Sequence, residues 1–183
     1  MTNENHVQFI TDLLDSNYQN TANWILSDDL IEPEYLDGSE AESPGTYVWV
    51  ANNTVLYIGE HGYSVRYRMN QHWRSWSKTT RNNPNRSMDE SKHQKGDTVL
   101  EYLQTDATVK IYSKPAQVVH IQAPHPLRSH QTDFPDMLRL DTKSNDEANL
   151  IDAFVNMYNV KPALNGTKGS KGTIISEGYN INE

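Results

Sequence analysis

"GTYVWVANNTVLYIGEHGYSVRYRMNQHW", Gly45 to Trp73, decides how this chain folds. Two short runs rich in β-branched and aromatic residues, TYVWVA and TVLYIGE, flank Asn52-Asn53. Asparagine tolerates the left-handed backbone of a tight turn, so the pattern predicts an antiparallel hairpin. Ser64 then stands where a helix needs its N-cap, ahead of VRYRMNQHWRSW. Tyr47, Tyr57, Arg66, Arg68 and His72 are thereby crowded into one strand–strand–helix unit.

On the N-terminal side, VQFITDLLDS has the apolar spacing of a helix, and TANWILSDDLIEPEYL reads as a second short helix or turn broken near Pro33. DGSEAESPG is a linker by composition, with a boundary near Ser43. On the C-terminal side, residues 77–96 have no apolar period and read as a polar, basic loop. DTVLEYLQ follows as a helix capped by Asp97, then ATVKIYS and AQVVHIQA as strands. PHPLRSHQTDFPDMLRL is punctuated by proline and reads as a surface loop. SNDEANLIDAFVNMYN is the clearest helix, capped by Asn145 or Asp146, with Leu150, Ile151, Phe154 and Met157 or Tyr158 as its buried stripe. The glycine-rich end, 161–183, offers one terminal strand. The sum is an α+β fold, a small antiparallel or mixed sheet flanked by helices. An acidic helical extension over 1–42 precedes a main domain over 43–183, which carries a basic insertion at about 75–96.

Composition narrows the function. The chain of 183 residues contains no cysteine, which removes disulfides, thiolate zinc sites and cysteine nucleophiles. No apolar run approaches membrane-helix length and the first residues lack a signal pattern, so the expectation is a cytoplasmic protein with no membrane partner. The net charge of −8 conceals a division. Residues 1–42 hold ten acids and no lysine or arginine, whereas 66–95 hold eight bases against two acids. Local field steers a polyanion, so the basic patch and not the total is the relevant quantity.

GTYVWV followed by LYIGE resembles the paired signature of the GIY-YIG nucleases, with Thr46 where isoleucine is usual. The likeness continues through RMNQH, matching the family's Arg-x-x-x-His, then EANLI with its glutamate, then PALN. It spans 45–165, with its elements in the family's order. The family's arginine follows the second tyrosine by ten residues, where this chain has Arg66 at nine and Arg68 at eleven. Spacing to His72 favours Arg68 without eliminating Arg66. His61 stands where small residues are common, which leaves open whether it also touches substrate.

The resemblance implies an endonuclease that hydrolyses phosphodiester bonds in double-stranded DNA, leaving 5′-phosphate and 3′-hydroxyl ends. It implies Tyr47, Tyr57, Arg68, His72, Glu147 and Asn165 as the catalytic set. Glu147 would be the ligand to Mg²⁺, with Mn²⁺ as substitute. Arg68 would fork two bonds onto phosphate, and Tyr57 would orient water or phosphate. Tyr47 would act as general base, which requires a cation or His72 to lower its pKa. Arg66, Trp73, Arg74, Lys78, Arg81 and Arg86 are the expected DNA contacts, with Tyr67 and Trp76 available to sugar or base. The small size suits a type II restriction endonuclease better than a homing enzyme, with phage-type and repair nucleases as alternatives. Cutting both strands implies a homodimer or sequential nicks.

Each residue also has a plain structural explanation. The tyrosines suit β-packing, Arg68 and His72 a solvated helix face, Glu147 the first turn of a helix, and Asn165 a turn before Gly166. Two other function classes compete. His120, His125 and His130, with Asp133 and Asp136, suggest a zinc or iron hydrolase, although metal histidines on a helix prefer closer spacing and the prolines preclude one. A non-catalytic nucleic-acid-binding module on the same fold is the second.

Overall fold

The computed structural model describes residues 6–28, 30–36, 40–80, 90–123 and 136–165. The chain opens with helix α1 (Val7–Asp15), which buries Phe9 and Leu13. Strands β1 (Gln19–Ser27) and β2 (Leu30–Tyr35) follow as an antiparallel pair with Trp24 opposite Pro33. Helix or turn was expected over this stretch. Proline at 33 excludes a helix interior but is tolerated in β2, because an edge strand can spare an N–H. The alternating burial of β1, centred on Trp24, is the period of a strand.

Strands β3 (Gly45–Ala51) and β4 (Thr54–His61) form the expected hairpin, with Ala51 opposite Thr54. Asn52 and Asn53 take φ of 47° and 61°, the left-handed values that a two-residue turn demands. Helix α2 (Val65–Thr80) starts with the Tyr67 N–H donating to Ser64 Oγ, the cap anticipated from sequence. It then runs through residues 77–80, where a loop was expected, and α3 (Glu90–Leu103) takes in 90–96 of the same segment, while 81–89 lie outside the described residues. Asp97 lies inside α3 and caps nothing. Polar residues such as Glu, Lys and Gln are good helix formers, and apolar periodicity is not needed where few residues touch the core. Strand β5 (Val109–Pro115) completes a five-stranded sheet of order β2-β1-β5-β3-β4, antiparallel throughout.

Strands β6 (Val118–Ala123) and β7 (Asp136–Asp141) form a separate antiparallel pair. The end of the expected surface loop is therefore a strand, while 124–135 lie outside the described residues. Thr142, not Asn145 or Asp146, holds the N-cap position of helix α4 (Lys143–Tyr158); its hydroxyl makes no capping bond to the backbone and instead donates to Asp146 Oδ2 at 2.6 Å. Tyr158 joins the core with Leu150, Ile151 and Phe154, whereas Met157 is exposed. The glycine-rich end beyond 165 is outside the described residues. Among those described, no helix is long and apolar enough to cross a membrane.

The sheet separates two cores. One face carries Tyr47, Trp49 and Ala51 against Trp24, Met69, Trp76 and Val99; the other carries Val48 and Val50 against Phe9, Leu13 and Phe154. Every residue of β3 is buried, because it lies between two strands and under helices on both faces.

Candidate active site

The two phenols owe their meeting to an irregularity. Strict alternation back from the Asn52-Asn53 turn would pair Trp49 with Leu56 and send Tyr57 to the opposite face from Tyr47. The register instead slips between Trp49 and Val50, so that Trp49 pairs with Tyr57 and Tyr47 with Gly59. Leu56 is the extra residue of a bulge, and both it and Tyr57 pack on the Tyr47 face. The Tyr47 and Tyr57 ring centroids lie 5.9 Å apart. Gly59 leaves room for this: a Cβ there would come within 2.6 Å of the Tyr47 hydroxyl and 2.8 Å of Tyr57 Cε1.

Arg68, in the first turn of α2, brings its guanidinium to both phenols and opposes the rise in the Tyr47 pKa. Its Nη1 donates to Gln71 Oε1 at 3.1 Å, while its buried Nε has no hydrogen-bond partner among the described residues. Arg66, two residues earlier, points elsewhere because residues two apart on a helix do not share a face. It pairs with Glu42, and its guanidinium carbon lies 3.9 Å from the Tyr35 ring centroid. Tyr35 in turn donates to the Arg66 carbonyl and Asn70 Oδ1.

His72 shares the Arg68 side of α2, but its ring is buried among Trp49, Trp76 and Tyr57 at 5.1, 5.5 and 6.3 Å between centroids. The Tyr47 pKa is not lowered as a general base would need. Burial pushes it well above 10, the Tyr57 phenol adds to the rise, and Arg68 only partly offsets them. Tyr47 is therefore a neutral phenol at physiological pH, and its buried hydroxyl has no partner of full hydrogen-bond geometry among the described residues.

Glu147, in the second turn of α4, reaches the same place from the far side of the β4 edge. Burial raises its pKa, Glu60 raises it further, and Lys95 and Arg68 pull it back. Glu60 follows the YIG run on β4, and its buried Oε2 has no hydrogen-bond partner among the described residues. Among the described residues, the Tyr47 hydroxyl, Arg68 Nε and Glu60 Oε2 thus lack a partner of full hydrogen-bond geometry within one network of interacting groups, the condition a polar ligand would relieve. Asn165 closes the outer edge of β4, donating to the Ile58 carbonyl at 2.6 Å and accepting from the Ile58 N–H at 2.7 Å. It supplies what a neighbouring strand would, beside Tyr57 and Gly59.

The fold is shared with bacteriophage T4 EndoII. A mutant of that protein superposes with a TM-score of 0.55 over 82% of this chain and 95% of its own, at 12% identity. Restriction endonuclease HPY188I in complex with product DNA gives 0.49 over 87% and 85%, also at 12% identity. No protein-family model matches the sequence, and no curated protein sequence matches it significantly.

Two site residues were not singled out in the sequence. Glu60 lies directly after the glycine of the second motif, where only proximity to Glu147 gives it meaning. Lys95 falls in the stretch read as loop, yet α3 brings its Nζ to 3.6 Å from the Tyr57 ring centroid. Among the expected DNA contacts, Arg74 is exposed on α2, Trp73 packs against the core and Arg66 is held by Glu42 and Tyr35. Trp76 is buried, so it belongs to packing and not to sugar or base. Lys78 continues α2 without a described side chain; Arg81 and Arg86 lie outside the described residues. His61 keeps its pKa low through burial and the Arg68 charge, and its Nδ1 accepts from the Tyr63 and Ser64 N–H groups. It stacks with exposed Tyr63 and Tyr67 beside the site. Of the rival histidine cluster, His120 is on β6, and His125, His130 and Asp133 lie outside the described residues.

Proposed function

We propose that the chain is a metal-dependent DNA endonuclease of the GIY-YIG type, acting as a type II restriction endonuclease. The observation that carries this reading is the convergence of Tyr47, Tyr57, Arg68 and Glu147, from four separate elements, around polar atoms that lack partners among the described residues.

In hydrolysis, a water oxygen bonds to phosphorus, the bond from phosphorus to the 3′ oxygen breaks, and a proton ends on that oxygen. Charge accumulates on the non-bridging oxygens as this happens. Arg68, permanently charged and set between the phenols, would take that charge through its guanidinium fork. Neutral Tyr47 would hydrogen-bond the attacking water or a phosphate oxygen, and Tyr57 would hold the same group from the second side. Asn165 would keep β4 straight beneath them, while the exposed His61–Tyr63–Tyr67 surface offers ring faces to the DNA. A magnesium ion suits the donor set: Glu147 and Glu60 supply hard carboxylate oxygens, and magnesium commonly takes one or two carboxylates plus water and phosphate. When bound there it would supply Lewis acidity and make water a nucleophile near neutral pH. A homodimer or sequential nicks would cut both strands.

The test is incubation of supercoiled plasmid and genomic DNA with the protein in Mg²⁺ or EDTA at low salt. Discrete fragments bearing 5′-phosphates, formed only with metal, are expected from the wild type. Arg68→Met should be slower by about 10²-fold, the scale of removing one charged donor from a transition state. Intact DNA under all conditions would overturn the reading. Gly59→Ala should cost about 10²-fold in initial cleavage rate while the protein stays folded by circular dichroism. Its methyl group would displace the Tyr47 hydroxyl, whereas φ at 59 is not in question.

A further inference from the structure

We infer that Lys95, delivered by α3, is a second catalytic cation that contacts the scissile phosphate opposite Arg68; this rests on the endonuclease reading above. Its position follows from how α3 docks. Gly96 lies flat on the Trp76 indole, where a Cβ would sit 2.9 Å from Cδ1 and Cγ, so backbone and ring meet directly. Val99 is fully buried one turn later, with Leu100, Tyr102 and Leu103 packed behind it. A lysine adjacent to such a contact has its Cα held in place, and only its side chain remains to be oriented.

That side chain turns inward. Its ammonium stands 3.6 Å from the Tyr57 ring centroid, close enough for attraction by the ring face, and it acts electrostatically on the Glu147 carboxylate. Among the described residues it forms no ion pair, in contrast to Arg66, whose charge is engaged by Glu42. Arg68 acts on the same Glu147 carboxylate and touches the same Tyr57. Tyr57 therefore has a cation on its face from α3 and a guanidinium at its hydroxyl from α2. A phosphate entering between them would meet two positive groups from two helices, one a planar fork and one a compact ammonium with three donors. Charge on the phosphate grows towards the transition state, so the second cation should act more on rate than on DNA affinity.

Single-turnover cleavage of plasmid in Mg²⁺ is measured for wild type, Lys95→Met, Lys95→Arg and Arg68→Met. Duplex affinity is measured by anisotropy in Ca²⁺, and melting temperature is measured for each. Lys95→Met should slow cleavage about 30- to 100-fold with affinity changed less than about threefold, and Lys95→Arg should recover about tenfold of the loss. If Lys95→Met stays within about threefold of wild type while Arg68→Met falls about 10²-fold, the inference fails and the endonuclease reading stands. A loss of rate matched by a loss of affinity, or one accompanied by a lower melting temperature and not recovered by Lys95→Arg, also overturns it. If the wild type leaves DNA intact, both fall together.

Discussion

Replacing Glu147 with glutamine should reduce cleavage by about 10³-fold or more and at the same time make the protein more resistant to heat at neutral pH. The stability effect comes from a carboxylate set where its surroundings oppose ionisation. Burial is the first cause of its raised pKa and Glu60 the second, with Lys95 and Arg68 only partly compensating. The folded protein thus binds a proton at Glu147 more readily than the unfolded chain does, so stability linked to this group is complete below the ordinary carboxylate range and is lost as pH rises through the folded pKa. Glutamine removes that loss. The melting temperature of Glu147→Gln should exceed wild type by about 1–3 °C at pH 7 and match it at about pH 3 and below, where the glutamate is protonated in both the folded and the unfolded chain. Equal melting temperatures at both pH values would show that the carboxylate is not under strain. The activity loss has a separate cause, since the amide keeps the shape but not the charge that would hold magnesium. Metal-dependent cleavage by Glu147→Gln at near wild-type rate would remove Glu147 from the site.

Trp24→Ala should destabilise the protein by about 3–5 kcal/mol, read from the shift in the urea midpoint. Trp24 lies in the acidic segment that looked like an extension, yet it is completely buried. Its ring is 5.6 Å from that of Trp49 and 4.6 Å from that of Trp76, so it joins β1 to both β3 and α2. Strand β1 also pairs directly with β5. The segment over 19–35 is thereby an integral edge of the sheet that carries Tyr47, and a single cooperative transition is expected. A loss below about 1 kcal/mol would indicate a hairpin resting on a core that stands without it.

Some of this was legible in the sequence because it depends on near neighbours. Asparagines tolerant of left-handed backbone placed the β3–β4 turn, Ser64 placed the start of α2, and the apolar spacing of 150, 151 and 154 placed α4. The four-residue spacing of Arg68 and His72 put both on one side of a helix. Local rules erred where they were weak: Trp24, Ile25 and Ile31 suit a strand or a short helix equally, and the polar first half of α3 leaves no apolar period to read, although its second half, from Asp97, was read as helix.

Which of these groups meet follows from long-range packing. One extra residue at Leu56 turns Tyr57 to the Tyr47 face, and a bulge depends on pairing with the opposite strand, not on composition. Arg66 is drawn away by Glu42 and Tyr35, which lie more than twenty residues earlier in the chain. Lys95 arrives because Gly96 can lie against Trp76, and Glu60 matters because α4 brings Glu147 beside it. Local sequence placed the β3–β4 hairpin, α2 and α4 and supplied the types of group available. Their convergence into a charged, partly desolvated site was set by long-range packing, since the energy that assembles it comes from residues distant in the chain.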